Sequence, residues 1–402
     1  MKILFIHQYY FPEMSGTARR TKEMAESFVK KGHKVSVITS FPRSTRTMPG
    51  YKTKYYEVMN GVNIYRLKNI FSVGKNPFIR ILSYFVSTLL SLQYISRRKK
   101  NYDIVISVSP LASGIAGAAA NYLYKVYHHF DVPDILPDLG IAAGMLKNKY
   151  LIKILFIIEK WVYSNSNSIS LTTKGHIKKL IDKGVPKKKL KWMPDWIDEE
   201  YYFSTPIIPL KNEKNYLFYK NNKIITFLGN IGALQGPDTF LELMKDINHE
   251  EKYKVKFLFI GNGIMVPSLK ARIKNEDIKN IHFLGNIDRS HVRSYLNISD
   301  ILISNYLDHP ALDTYIPGKI FEYIISGKPI IMGGRGDVKE LIEKYDAGFV
   351  IEPSNVGLFK NAIYNILSGK YYFKPDITKF LRFYSMKNVI NRYNKMIFSF
   401  RI

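Results

Sequence analysis

Short apolar runs alternate with longer stretches of helical periodicity, and the alternation occurs twice along the chain. In the first half the runs fall at 2–6, 34–39, 103–107, 125–130 and 168–172, with helical patterns at about 18–31, 77–98, 112–126 and 151–165. In the second half they fall at 224–228, 255–260, 281–284, 301–304 and 329–332, with helical patterns at about 237–246 and 265–275. Such alternation predicts parallel sheets covered by helices, an α/β architecture. One pair departs from it: 55–58 and 62–66 flank Asn60-Gly61 and predict a hairpin. At 402 residues the chain is too long for a single core and suits two domains. The polar, Pro-containing stretch 204–214 places their boundary, giving domains over 1–204 and 205–385.

The chain has no Cys, which excludes disulfides and thiolate metal sites. The opening apolar run is too short for a signal peptide and reads as a first buried strand. No stretch is long and apolar enough to predict a membrane span. A net charge of +27 points to an anionic partner: nucleic acid, lipid or small molecule. No recognised nucleic-acid module accompanies the charge. The Lys residues are also scattered, as at Lys31, Lys147, Lys214, Lys254 and Lys279, in the manner of a solvated surface. Nucleic acid is therefore not an expected partner.

The segment 315–331 carries the sharpest chemical signal. Pro317 and Gly318 predict a turn, Lys319 to Ser326 a short helix, and Gly327 its left-handed stop. A helix opening on Gly318-Lys319 offers bare N–H groups, a dipole and a cation, which suit a phosphate. Glu322, one turn in, is placed to accept hydrogen bonds from a ribose diol; the plainer reading is an acid favoured near a helix N-terminus. Gly16, between the first strand and first helix, and Gly229, Asn230 and Gly232, at the same junction in the second half, read as phosphate-approach loops. Neither loop is a Gly-x-Gly-x-x-Gly fingerprint, which disfavours a dinucleotide enzyme. Gly261 and Leu284-Gly285 end two further strands. An acidic loop at 131–139 holds Asp131, Asp134 and Asp138. Its alternative roles are Asx turns and a helix cap. The adjacent His128 and His129 point to opposite faces of a strand, which argues against joint metal ligation.

The helical pattern 77–98 carries Phe78, Ile81, Leu82, Phe85, Val86, Leu89, Leu92 and Ile95 and ends in Arg97-Arg98-Lys99-Lys100. Ser83, Ser87, Thr88 and Ser91 lie on its other side. A basic, aromatic, amphipathic helix suits a membrane interface, and it equally suits covering a sheet. The second reading is expected for the apolar side, with the basic end left to touch anionic lipid.

These motifs together resemble the retaining GT-B glycosyltransferases of large family 4. Pro317, Lys319, Glu322, Tyr323, Gly327, Lys328 and Pro329 match that family's donor segment, while Gly318 replaces its usual Ser. The family places an acid eight positions before the Glu; Thr314 stands there, and Asp313 is the nearest carboxylate. The loop 229–236 resembles a branch that lacks the Arg and Lys of many relatives. Met193-Pro194-Asp195-Trp196-Ile197-Asp198 resembles the segment before the family's interdomain linker.

The resemblance implies a GT-B fold, two Rossmann-like domains facing a central cleft, with the C-terminal helix 386–402 packed back on the first. It assigns the acceptor to the first domain and the nucleotide sugar to the second. Gly229, Asn230 and Gly232 would cradle a diphosphate with Lys319, Gly16, Pro317, Gly318 and Arg19 or Arg20. Gly261 would lie near the donor sugar, Leu284 and Gly285 near the nucleobase, and Asp313 and Glu322 near the sugar and ribose. Asp131 and Asp134 would meet sugar hydroxyls or take the acceptor proton. The activity implied is that of a metal-independent, hexosyltransferase-type enzyme with no cofactor. It would use a UDP-sugar donor, with N-acetylfucosamine as the sugar of the nearest branch. The acceptor would be a polyprenyl-diphosphate-linked saccharide in capsule or surface-polysaccharide assembly. The enzyme would be cytoplasmic, on the anionic inner face of the cell membrane. The alternatives are a GT-B-fold nucleotide-sugar epimerase and a non-catalytic basic protein that binds lipid or nucleic acid.

Overall fold

A computed structural model of the chain describes residues 1–13, 15–42, 51–68, 77–98, 101–212, 216–248 and 253–399. Lys99 and Lys100 of the basic run, and the last residues of the predicted C-terminal helix, lie outside them. The chain divides into two units, Met1–Pro194 with Ile390–Ile402, and Asp195–Val389. The sequence had placed the boundary at 204–214; the division instead follows the Pro194-Asp195 bond.

The first unit is built on β1 (Lys2–Ile6), β2 (Lys34–Ser40), β3 (Tyr56–Met59), β4 (Val62–Leu67), β5 (Ile104–Val108), β6 (Tyr127–Val132), β7 (Ser168–Leu171) and β8 (Leu190–Trp192). They form one sheet in the order β3-β4-β2-β1-β5-β6-β7-β8. All neighbours are parallel except the β3–β4 hairpin, where Met59 faces Val62. Its helices are α1 (Gly16–Lys30), α2 (Pro77–Arg98), α3 (Leu111–Tyr124), α4 (Asp138–Ala142), α5 (Lys149–Ser164) and α6 (Lys174–Asp182). The central strands are buried on both faces, as their unbroken apolar runs require. On one face Leu4, Ile6, Ile38 and Val105 pack with Ile95 of α2 and Ala116 and Ala120 of α3. The small residues of α3 let it lie close to the sheet. A Cβ at Gly117 would meet the His128 ring, and one at Gly114 the Phe130 ring.

Helix α2 departs from expectation. Ile95 is buried and Leu92 packs beside it, but Leu82, Phe85 and Leu89 face solvent, Phe85 with 60% exposure. The hydroxyl side turns inward instead: Ser83, Thr88 and Ser91 are buried, and the Thr88 hydroxyl donates to the carbonyls of Tyr84 and Ala112. Side-chain donors that satisfy themselves on local carbonyls can be buried cheaply, so periodicity alone did not tell which side faced in.

The second unit holds β9 (Lys223–Leu228), β10 (Val255–Ile260), β11 (Ile281–Gly285), β12 (Ile301–Asn305), β13 (Ile330–Gly333) and β14 (Gly348–Ile351). Their order is β11-β10-β9-β12-β13-β14, all parallel. Counted within the unit this is 3-2-1-4-5-6, the doubly wound order whose chain reverses direction between its first and fourth strands. The covering helices are α7 (Glu199–Ser204), α8 (Tyr216–Lys220), α9 (Pro237–Asn248), α10 (Val266–Asn275), α11 (Arg289–Ile298), α12 (Lys319–Ser326), α13 (Asp337–Lys344), α14 (Val356–Leu367) and α15 (Ile377–Tyr384). An aromatic cluster fixes the core: Phe227 stacks on Phe259 at 5.2 Å, and Phe240 stands edge-on to both. The division of the chain falls inside the last helix, α16 (Met386–Ser399), so its later turns belong to the first unit.

Candidate functional site

In an open α/β sheet a ligand is expected beyond the carboxyl ends of the strands, where the strand order reverses. In the second unit that point lies between β9 and β12. The Gly229 N–H donates to the Ile260 carbonyl at 2.8 Å, and the Gly261 N–H to the Gly285 carbonyl at 2.7 Å, so each turn extends the ladder into the next strand end. Gly261 has φ +122°, and a Cβ there would meet the Gly229 carbonyl. Gly261 is glycine because backbone lies against backbone there. On the other side of the switch point, Asn305 ends β12, fully buried. Its Nδ2 donates to the Gln235 carbonyl at 3.2 Å, and its Oδ1 accepts the Ser354 N–H at 3.0 Å. Asn305 thus ties the 229–236 loop to β12. Nothing in its local sequence signals this, since both partners are distant in the chain.

Helix α12 opens on Gly318, exposed and without a side-chain cap, and closes on Gly327 at φ +73°. Its orientation is set by Tyr323. That hydroxyl accepts the Leu228 N–H at 2.8 Å and donates to the Ile303 carbonyl at 3.2 Å, bridging the end of β9 and the middle of β12. Lys319, one turn earlier, is thereby laid against Gly229 and over the Phe227 ring, with Nζ 3.6 Å from the centroid. The stem of Lys319 is partly accessible, but Nζ is sealed and has no hydrogen-bond partner. Burial pulls its pKa down to about 7. Glu322, half-buried on the same helix, lies within electrostatic reach of Tyr202. Pro317 is buried and its carbonyl accepts the Ile320 N–H. Asp313 follows the short turn Pro310–Leu312, and its carbonyl accepts the Asp337 N–H at 2.8 Å. Burial raises its carboxyl pKa, against the pull of Arg335.

The structure corrects part of the expected phosphate cradle. The N–H of Gly229 is committed to Ile260, and that of Gly232 to the Gln235 Oε1 at 3.2 Å. Asn230 is exposed at the tip of the loop. What gathers here is Lys319, the α12 N-terminus, Gly229 and Gly261. Leu284 and Gly285 end the edge strand β11.

In the first unit Gly16 begins α1, with Ser15 as its cap. Arg19 is partly exposed and lies 3.9 Å from Glu23. Arg20 is buried and meets Asp131 through Nε at 2.9 Å and Nη2 at 3.2 Å. Ser170 and Tyr393 also donate to Asp131, at 2.5 and 2.6 Å. Burial pushes the Asp131 carboxyl up, but Arg20 and these hydroxyls outweigh it and hold it below the usual range. A fully buried carboxylate paired with a guanidinium and two hydroxyls is held as the anion and is closed off from a substrate. The expected catalytic role of Asp131 is therefore withdrawn. Asp134 is half-buried on the loop beyond β6, where its carbonyl accepts the Ser109 hydroxyl. Asp138 pairs with Lys179 of α6 and with Lys183, which caps that helix. The ring nitrogens of His128 and His129 bond to Ser107, Ser166, Ser168 and Ser170. Among the described residues no cluster of His, Asp and Glu is arranged to hold a metal ion.

Residues 15–196 match the glycosyl transferase 4-like domain, and residues 210–377 match the glycosyl transferases group 1 family. The chain is a group 1 glycosyltransferase. This glycosyltransferase is 24% identical over 372 residues to the putative colanic acid biosynthesis glycosyl transferase WcaI of Escherichia coli, across 89% of each chain. Its fold matches sucrose-phosphate synthase of Thermosynechococcus elongatus with a TM-score of 0.78 at 13% identity, over 100% of this chain and 99% of that one. Anabaena Alr3699/HepE in complex with UDP-glucose matches with a TM-score of 0.73 at 13% identity, over 99% and 100%. At such identities the structures establish the two-domain GT-B fold. The group 1 match, residues 210–377, includes Lys319 and Glu322.

Proposed function

We propose that this glycosyltransferase transfers a sugar from a UDP-sugar to a polyprenyl-diphosphate-linked saccharide during capsule or surface-polysaccharide synthesis, with retention at the anomeric carbon. The observation that carries the donor reading is Lys319. An amine with no hydrogen-bond partner at the carboxyl ends of the central strands, beside an uncapped helix N-terminus, has the charge and dipole that suit a diphosphate. Anabaena HepE, of the same fold, has been seen with UDP and UDP-glucose. The colanic acid relative supports a polysaccharide product, and the resemblance supports an N-acetylated amino sugar such as N-acetylfucosamine.

In the proposed reaction the acceptor hydroxyl attacks the anomeric carbon as the bond to the UDP oxygen breaks. The acceptor proton passes to the departing diphosphate. Lys319 supplies the charge that stabilises this leaving group, so no metal ion is needed. Glu322, on the same helix as Lys319, holds the ribose.

A thermal-shift screen of UDP, GDP, dTDP and UDP-sugars tests the donor. At a hundred times its Kd, UDP should add about 2.7 kcal/mol of stability. Glu322→Gln should weaken UDP binding in calorimetric titration while leaving the melting temperature unchanged. No stabilisation by any nucleotide sinks the reading. A free isomerised sugar nucleotide as product replaces it with an epimerase.

A further inference from the structure

Helices α2, α3 and α5 lie side by side on one face of the first unit's sheet. Each shows large apolar side chains to solvent: Leu82, Phe85 and Leu89 on α2, Tyr122 and Leu123 on α3, and Tyr150, Ile154, Ile157 and Trp161 on α5. Tyr150 is 82% exposed and Ile157 61%. The α5 residues fall three and four apart, so they form one row along the helix. Lys153 and Lys160 are exposed along one side of this row, and Arg97 and Arg98 at the end of α2. A soluble surface seldom leaves this much apolar area uncovered, which marks an interaction face.

Charge selects the occupant. The sequences of α2 and α3 contain no Asp or Glu. That of α5 contains only Glu159, which is buried and paired with Lys183 at 2.9 Å. A face that is apolar and cationic with no exposed acid repels a second copy of itself. It complements a surface that is apolar within and anionic at its rim. Tyr150 and Trp161, at the two ends of the α5 row, are the residue types that settle at the level of lipid headgroups. We infer that α5, flanked by the exposed sides of α2 and α3, lies flat in the interface of an anionic bilayer, with Ile154 and Ile157 in the acyl region. This departs from the sequence expectation, which left membrane contact to the basic end of α2. It deepens the proposed function, since a lipid-linked acceptor must be met at a membrane. No described helix is long and apolar enough to cross one.

Trp161 provides the test. The chain has 3 Trp, and of these Trp192 is half-buried and Trp196 buried. The full-length protein is mixed with phosphatidylcholine vesicles with and without phosphatidylglycerol, with bromine on the acyl chains. The expected result is a blue shift and quenching of fluorescence with the anionic vesicles, weakened by salt and lost in Trp161→Phe. Ile154→Ser with Ile157→Ser should lower sedimentation with anionic vesicles by roughly tenfold or more. Lys153→Ser with Lys160→Ser should lower it several-fold, and UDP affinity should not change in either variant. Vesicle binding without Trp161 quenching, equal binding to neutral vesicles, or no binding at low salt each overturns the inference. A dimer in sedimentation velocity that Ile157→Ser dissociates assigns the face to a second copy and also overturns it. UDP titration is read separately, so loss of nucleotide binding refutes the donor site and leaves this surface standing.

Discussion

At the scale of single residues, Lys319 and Asp131 show how burial decides a role. Both were expected to take part in catalysis, and the charged atoms of both are buried. Asp131 is saturated by Arg20, Ser170 and Tyr393, whereas the Nζ of Lys319 rests on a ring face with no acceptor. Asp131→Asn should therefore act on stability: burying the Arg20 charge without its carboxylate costs about 3–5 kcal/mol, read as a lower urea midpoint. A variant of normal stability with lost turnover would restore the catalytic role. Lys319→Ala should instead lower turnover by about 10²-fold in a folded protein. Its titration adds a pH signature. With the folded pKa near 7, the unfolded chain binds more protons from there up to the ordinary lysine range. The unliganded protein then gains stability as pH rises through that window. A bound diphosphate favours the charged amine, so UDP affinity should fall as pH rises above about 7. Titrations at pH above neutrality, in buffers of differing ionisation enthalpy, should show proton uptake on binding, abolished in Lys319→Met. Absence of uptake in the unaltered protein would mean that Lys319 is already charged.

At the scale of elements, the glycine turns above β9, β10 and β11 separate two causes of intolerance. Gly261→Ala places a Cβ against the Gly229 carbonyl at φ +122°, so backbone must move. Gly285 has φ +77° with nothing near its would-be Cβ. Gly285→Ala should cost about 1–2 kcal/mol from the left-handed backbone alone. Gly261→Ala should exceed this and also lower UDP affinity; equal melting temperatures for the two would refute the account. The same turns show what was legible in the sequence. Helix α12 could be placed over Lys319–Ser326 because its signals are local: a Pro-Gly turn before it and a Gly stop after it. The central strands were legible because burial on both faces leaves unbroken apolar runs. The edge strands β8 and β14 were not, being short and half-exposed. The commitments of the Gly229 and Gly232 N–H groups were hidden as well. The first depends on a neighbouring parallel strand, the second on the rotamer of Gln235. The inward face of α2 escaped periodicity because its hydroxyls are satisfied locally.

At the scale of the whole molecule, the chain leaves its first unit at Pro194 and returns to it from Ile390. The return has a specific anchor. The Tyr393 hydroxyl donates to Asp131 at 2.6 Å and accepts from Arg20 at 2.7 Å, while His33 meets Asn394 at 3.3 Å. Tyr393 is fully buried, so the last helix supplies a wall of the first unit's core as well as a hydrogen bond. That makes the first unit discontinuous in sequence: its buried charge pair is completed only after the second unit has been synthesised. Two variants separate the packing from the hydroxyl. Tyr393→Phe keeps the ring and removes one donor to a buried carboxylate, which should cost about 1–3 kcal/mol. Tyr393→Ala removes the ring too and should cost about 3–5 kcal/mol. Neither residue change touches the Lys319 site, so once folded each variant should bind UDP with unchanged affinity. Urea unfolding followed by Trp192 fluorescence in a Trp161→Phe, Trp196→Phe background reads the first unit, since the Trp192 indole lies near Arg392 of the last helix. If Tyr393→Ala unfolds at the same urea concentration as the unaltered protein, the last helix is an appendage and the buried cluster stands without it.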